Sequence, residues 1–162
     1  MIHASAFKEA MGRFPSGVVI ATTLDREGKP WGFTASSFSS VSLDPPLVLV
    51  CLAKTAECHA AFVAARLFSI NILAADGEAL ARRFAMRGAR KFDGDEFFVG
   101  EHGLPVIRTA VAALVCRKFA DYDGGDHTII VGEVQSVNHV AAGDAMVYFR
   151  RKFWRLAVPP TG

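Results

Sequence analysis

Hydroxyl groups are the first side chains in this sequence whose crowding suggests chemistry. The ten positions from Phe33 to Ser42 hold one threonine and five serines, and the stretch "WGFTASSFSSVSLDPPLVLVCL" then runs into proline and a strongly apolar segment. A solvated turn would be polar, yet Phe33, Phe38 and Val41 are interleaved with the serines. Small hydroxylated residues let a flat ring approach the backbone, and they donate to ring carbonyls or phosphate oxygens at modest desolvation cost. A phosphate would also need cations, and Arg90 and Lys91 lie downstream; basic residues otherwise cluster as "RR" at 82–83, "RGARK" at 87–91 and "RRK" at 150–152. Lys54 and Thr55 stand where the apolar segment gives way to a helical pattern, a place where helix amides can meet an anion. On residue types alone, a ligand-facing tract and a strand edge beside a solvated basic face are equally good readings.

Other chemistries find little to work with. The chain has no GxSxG elbow, no HExxH, no Walker loop and no GxGxxG after a strand. Cys51, Cys58 and His59 come closest to a metal set, but their spacing fits no common zinc pattern and Cys51 lies inside an apolar run. An ordinary hydrolase or metalloenzyme is therefore disfavoured. Of 162 residues, 51% are hydrophobic and 21% charged, which suits one globular domain, 1–162, with a substantial core. A net charge of +2 offers no field for nucleic acid or an anionic membrane. Three cysteines make no paired framework and point to a reducing compartment, the cytoplasm. The N-terminal stretch lacks the apolar core of a signal peptide, and no apolar run is long enough to span a bilayer.

The elements that must position these groups are mostly strands. Residues 5–13 have a helical apolar face in Phe7, Ala10, Met11 and Phe14. "GVVIATTLD" and "WGFTASSFSS" flank the turn "REGKP" and predict a hairpin over 17–40. "LVLVCL" has the continuous apolar character of a strand buried on both faces. A helix is expected over "TAECHAAFVAA" with Thr55 as its N-cap, and another over "GEALARRFAM" capped by Asp76. "LFSINIL", "AVAALVCRKFADY", "HTIIVGEVQSVNH" and "AMVYFRRKFW" complete about seven strands, the last read as one continuous strand. Many strands with few, short helices predict a mainly β fold, an antiparallel barrel rather than a parallel sheet.

Six segments in order, "FPSGVVIATTLDREGKPWGFTASSFSSVSLDPPLVLVCL", "FSINIL", "ALARRFA", "KFDG", "GLPVI" and "GDHTIIVGEV", resemble the short-chain flavin reductase family. These are the NAD(P)H:flavin oxidoreductase components of two-component monooxygenases. The resemblance covers about residues 7–156 and rests on the pairing of "TASSFSSVSLDPP" with the later "GDH". It implies an FMN-binding split β-barrel, a homodimer, and the transfer of hydride from NADH, with NADPH possible, to FAD or FMN. It also implies that the reduced flavin is passed to a separate monooxygenase. Isoalloxazine contacts then fall on Thr34, Ala35, Ser36 and Ser37. Those to the ribityl chain and phosphate fall on Ser39, Ser40 and the strand end Cys51, Leu52, Ala53, Lys54 and Thr55, with Arg90, Lys91 and Phe92 as a basic-aromatic group. His127, Tyr148, Phe149, Arg150 and Arg151 correspond to the nicotinamide nucleotide contacts, with His127 in a positioning role. Two departures stand out: Ser36 where relatives often carry asparagine, and "YFRRKFWRL" where many have a glycine after the first aromatic. Two alternatives remain open: a protein that keeps its flavin and reduces another acceptor such as a corrinoid, and a flavin-binding protein without turnover.

Overall fold

The computed structural model describes the backbone of residues 2–140 and 143–156, and the side chains of all of these but 138–140. Its main feature is a seven-stranded sheet, antiparallel at every junction. Across the sheet the strands run β3 (Pro30–Ala35), β2 (Val19–Leu24), β6 (Leu67–Ile72), β9 (Ala112–Gly124), β10 (His127–Val140), β5 (Pro46–Ala53) and β4 (Ser39–Leu43). The two outer strands, β3 and β4, are neighbours in the chain, joined only by residues 36–38. Laid flat, seven strands would hold those edges roughly 29 Å apart. The link from Ala35 to Ser39 can reach about 14 Å at most. The sheet must therefore curl until its edges nearly meet, and the hydroxyl-rich tract crosses the remaining gap. This is the split barrel that the strand pattern and the resemblance predict.

Alternation along β2 shows how the curl is filled. Val19 and Ala21 point into the barrel with Phe33, Val50, Leu52, Phe62, Phe68, Ile70 and Ile130. Val18 and Ile20 point outward and are covered by α3 (Glu78–Ala85), whose Leu80, Ala81 and Phe84 form a second cluster with Ile107 and Met146. Gly32 makes this docking possible, since a Cβ there would stand 2.7 Å from Phe84 Cε1 and 2.9 Å from the Ala21 carbonyl oxygen. A buried polar network ties the short β7 (Phe97–Val99)–β8 (Pro105–Ile107) hairpin to the sheet. Asn71 accepts from the Ile107 N–H at 2.9 Å and donates to the Ile20 carbonyl at 3.1 Å, while the Thr22 hydroxyl donates to the Pro105 carbonyl at 2.6 Å.

Three sequence expectations change. The helix expected over 55–65 shortens to α2 (His59–Ala64), because residues 54–58 form turns, and Thr55 does not cap it. The α3 N-cap is Gly77 rather than Asp76, with no side-chain cap. The final strand is a hairpin, β11 (Met146–Phe149) and β12 (Lys152–Arg155), folded at Arg150 and Arg151, and β11 also pairs with β1 (Ser16–Gly17). In addition β5 alternates, with Val48, Val50 and Leu52 inside and Leu47, Leu49 and Cys51 only half-buried, so one of its apolar faces is not covered. The first helix, α1 (Ala4–Met11), likewise buries none of its residues, and Phe7, Met11 and the nearby Phe14 are exposed.

The β2–β3 hairpin turns on Asp25, whose carboxylate accepts from the Glu27 and Lys29 N–H groups at 2.9 Å each and from the Trp31 indole at 2.8 Å. The Trp31 bond first, and the two turn amides with it, hold the Asp25 carboxyl below its ordinary range. A carboxyl lowered on folding stabilises the fold above its unfolded pKa of about 3.9 and loses that contribution as the pH falls through the folded value. Acid titration followed by Trp31 fluorescence is expected to show the hairpin loosening below about pH 4, and Asp25→Asn should remove that step. Asn71→Ala leaves the Ile107 N–H unpaired in the core and is expected to cost about 2–3 kcal/mol in urea unfolding.

Candidate functional site

The gap between the two sheet edges opens into a cavity of about 410 Å³, within the range of about 300–1,000 Å³ usual for small-molecule sites. One wall is the hydroxyl tract: Thr34 and Ala35 at the end of β3, then Ser36 and Ser37. The opposite wall is the end of β5, Cys51, Leu52 and Ala53, continued by Thr55. Phe84, Ala85 and Met86 at the end of α3 form the floor, and Arg87, Lys91 and His127 bring nitrogen donors to it.

Each hydroxyl has a definite use. In the β4–β5 ladder Ser39 pairs with Leu49, so the next hydrogen-bonding position on β5 is Cys51. The chain has already left the sheet there, and the Ser37 side chain replaces it: its Oγ accepts from the Cys51 N–H at 3.0 Å and lies 3.3 Å from the Cys51 carbonyl oxygen as donor. The Thr34 hydroxyl donates to the Ala81 carbonyl of α3 at 2.6 Å. Among the described residues, the Ser36 and Thr55 hydroxyls bond to no protein group and stay available to a ligand. Lys91 Nζ reaches the Gly32 carbonyl at 3.3 Å. Glu57, the cavity's one carboxylate, accepts the Gly88 N–H on both oxygens, at 3.1 and 3.0 Å, and lies 3.6 Å from Arg87. His127 opens β10, and its Nδ1 donates to Asp126 Oδ1 at 2.6 Å, which leaves Nε2 as the ring's open position. That bond holds the Asp126 carboxyl below its ordinary range. Cys58 lines the cavity wall at 2% exposure, and burial pushes its thiol up to about 11.

A second cavity of about 310 Å³ adjoins the first, sharing Thr34, Ala35, Ser36 and Ala85 with it. Its other walls include Arg82, Tyr148, Arg151 and Phe153. Tyr148 and Phe153 face each other across β11 and β12, their ring centres 5.3 Å apart. The turn that carries the two arginines has positive φ at both, 50° at Arg150 and 62° at Arg151, the conformation that Asn-Gly normally supplies. Each non-glycine residue held so costs roughly 1–2 kcal/mol. The turn is fixed from outside by the Arg150 N–H bonding to the Gly12 carbonyl at 2.8 Å, and within the hairpin by the Trp154 indole bonding to the Phe149 carbonyl at 2.9 Å.

Several expected contacts lie elsewhere. Ser39 and Ser40 are exposed on β4 and do not line the cavity. Lys54 turns toward the β9–β10 tip and pairs with Asp123. Arg90 is 89% exposed and lies 3.1 Å from Asp93. Phe92 packs edge-on against Phe84 at 5.1 Å as part of the outer core. Phe149 lines neither cavity, and Arg150 lines a third cleft, beside α1. Conversely, Glu57, Arg82, Arg87 and Phe153 line these cavities, none of them among the contacts expected from the motifs. Arg87 belongs to a visible basic run, but Glu57 acts through the Gly88 amide, which no spacing reveals. His59, set beside Cys58 in sequence, instead contacts the Thr128 hydroxyl at 2.9 Å, and among the described residues no cluster could hold a metal ion.

The family description "Flavin reductase like domain" matches residues 11–157. The chain belongs to the flavin reductase-like family. It is 47% identical over 146 residues to the actinorhodin polyketide dimerase of Streptomyces coelicolor, covering 90% of this chain and 82% of the relative. It is 43% identical over 155 residues to the FMN reductase (NADH) of Agrobacterium fabrum, covering 96% and 87%. Among solved structures, the NADH:FAD oxidoreductase of Streptomyces globisporus C-1027, in complex with NAD and FAD fragments, superposes with a TM-score of 0.91 at 39% identity, over 97% of this chain and 94% of that one. Both split-barrel topology and the mostly β content agree with this membership.

Ser37→Ala removes both side-chain bonds to Cys51 across the gap. It is expected to cost about 1 kcal/mol in thermal or urea unfolding, and to weaken flavin binding, followed by fluorescence quenching, more than the same change at the exposed Ser40 does.

Proposed function

We propose that this flavin reductase-like protein uses NADH to reduce FAD or FMN, which then leaves for a separate monooxygenase. The observation that carries the reading is the pair of adjoining cavities with a common wall at Thr34, Ala35 and Ser36, room for two ring systems to meet. Relatives include the NADH-dependent FAD reductase of Streptomyces globisporus and the reductase component of a 4-nitrophenol monooxygenase of Rhodococcus opacus, each about two-fifths identical, at 41%.

The cavity residues fit a flavin. Small side chains and the unbonded Ser36 and Thr55 hydroxyls suit the polar edge of a flat ring, and Phe33, Leu52 and Met86 suit its apolar faces. Arg87 and Lys91 would meet the phosphate. When bound, flavin and nicotinamide supply the hydride chemistry themselves, which is why the site needs no nucleophile and no acid–base pair. The chain's residues bind, orient and exclude water. Asp126 fixes the His127 ring by its Nδ1 bond, so that Nε2 is presented to the nucleotide in one orientation. Tyr148 and Arg151 extend that surface into the second cavity.

The homodimer implied by the family finds support in the uncovered apolar face of β5, in Val41 and Leu43 on β4, and in Phe7 and Met11 on α1, all of which a second copy would bury. No described helix is long and apolar enough to cross a membrane.

Anaerobic mixing with NADH and excess FAD or FMN is expected to bleach the oxidised flavin band over many turnovers. His127→Ala should lower kcat/KM for NADH about tenfold, the worth of one good hydrogen bond of roughly 1.4 kcal/mol. Bleaching that stops at one equivalent would instead favour a resident flavin serving another acceptor. No bleaching at all would leave a binding protein.

A further inference from the structure

The third cleft, of about 430 Å³, lies between α1 and the β11–β12 turn and meets the second cavity at Arg151. Four cations line it, Lys8, Arg13, Arg150 and Arg151, against one acid, Glu9. Glu9 is engaged by Arg13 at 3.3 Å. Among the described residues, Lys8, Arg150 and Arg151 have no acidic partner. The cleft holds no aromatic platform; Ser5 and Gly12 complete it. Its chemistry is that of a compact, highly charged anion rather than a ring.

Two features distinguish this set from an ordinary solvated basic face. Arg150 and Arg151 occupy the two positions of a turn that asparagine and glycine fill without strain, and one hydrogen bond to Gly12 and one within the hairpin hold them there. The cleft is also the far end of a continuous series, from the His127 cavity through the Tyr148 cavity to Arg151 and then Arg150. An anion at that end, on a nucleotide whose ring lies at the other, is a phosphate remote from the nicotinamide.

We propose that Arg150, Arg151, Arg13 and Lys8 form a site for a phosphomonoester dianion, the 2′-phosphate of NADPH, so that this chain accepts NADPH as well as NADH. The proposal rests on the reductase reading for the rest of the nucleotide. An arginine set is what a 2′-phosphate requires, where a 2′-hydroxyl is served by a carboxylate. Fork-shaped guanidinium groups match phosphate oxygens in pairs, and the unpaired cations lose no internal ion pair on binding.

Steady-state flavin reduction is compared with NADH and NADPH for the wild type, Arg150→Gly and Arg151→Gly. Glycine relieves the positive-φ strain, so both variants should melt no lower than the wild type. Expected are a wild-type kcat/KM for NADPH within about tenfold of that for NADH, and a ratio of the two that falls at least tenfold in each variant. A lower wild-type ratio, or one that the variants leave in place, overturns the proposal. So does a change confined to FMN against riboflavin as acceptor, which would give the cleft to the flavin phosphate. Calorimetric titration with adenosine 2′,5′-bisphosphate and with ADP tests the site without turnover. Binding of the bisphosphate at least tenfold tighter than ADP, lost in Arg150→Gly, sustains it even if neither nucleotide reduces flavin; equal binding overturns it. Turnover with NADH alone would sink this inference and leave the reductase reading intact.

Discussion

A seven-stranded antiparallel sheet whose first and last strands are three residues apart in sequence has to close on itself, and it closes imperfectly. At the closure, both main-chain hydrogen-bonding groups of Cys51 face a strand that is no longer there. The Ser37 hydroxyl, able to donate and accept at once, meets both. A hydroxyl on a short side chain is the smallest group with that dual capacity, so the edges are joined without filling the space between them. The opening, and the walls of the cavity within it, follow from this one substitution of side chain for backbone.

The helix α3 depends on the same seam. Its Ala81 carbonyl accepts from Thr34, and Phe84 sits against Gly32, so the tract that bridges the barrel also seats the helix that forms the cavity floor. Downstream of α3, the segment bearing Arg87 and Lys91 is held back by the Glu57 carboxylate on the Gly88 amide and by Lys91 on the Gly32 carbonyl. Positive charge is thus brought to the cavity while its one acid is already committed. Opposite, the Asp126–His127 pair and the strained Arg150–Arg151 turn place a second set of nitrogen donors along the adjoining cavities. The binding surface is built from ends and turns carried on a stiff sheet.

Much of this was legible in the chain. The β-branched run at 17–25 and the turn before Trp31 predict the first hairpin, and the first half of the serine tract, which residue types alone leave divided between a ligand face and a strand edge, lines the cavity. The apolar run 47–52 misled because period alone cannot separate a strand buried on both faces from one whose second face lies open in the protomer. Ser39, Ser40, Arg90 and Phe92 are neighbours of cavity residues in sequence, but all of β4 is exposed at the sheet edge, Arg90 points to solvent beside Asp93, and Phe92 is taken by the outer core. The final hairpin is hidden in the sequence because two arginines are rare turn formers, and only the backbone shows them at positive φ. Glu57 was invisible for a different reason: its partner is a main-chain amide 31 positions away.

The burial of Cys58 has a chemical consequence under the proposed reaction, in which reduced flavin leaves the site in air. Dihydroflavin and oxygen generate peroxide, and a thiol on the cavity wall would be the nearest target. Peroxide attacks thiolate rather than thiol. With its acidity pushed to about 11, Cys58 holds only about one part in ten thousand as thiolate at neutral pH. Cys116, pushed to about 12 in the barrel interior, holds still less. The apolar packing that closes the barrel thereby also keeps these two thiols inert toward the oxidant that its own turnover would release.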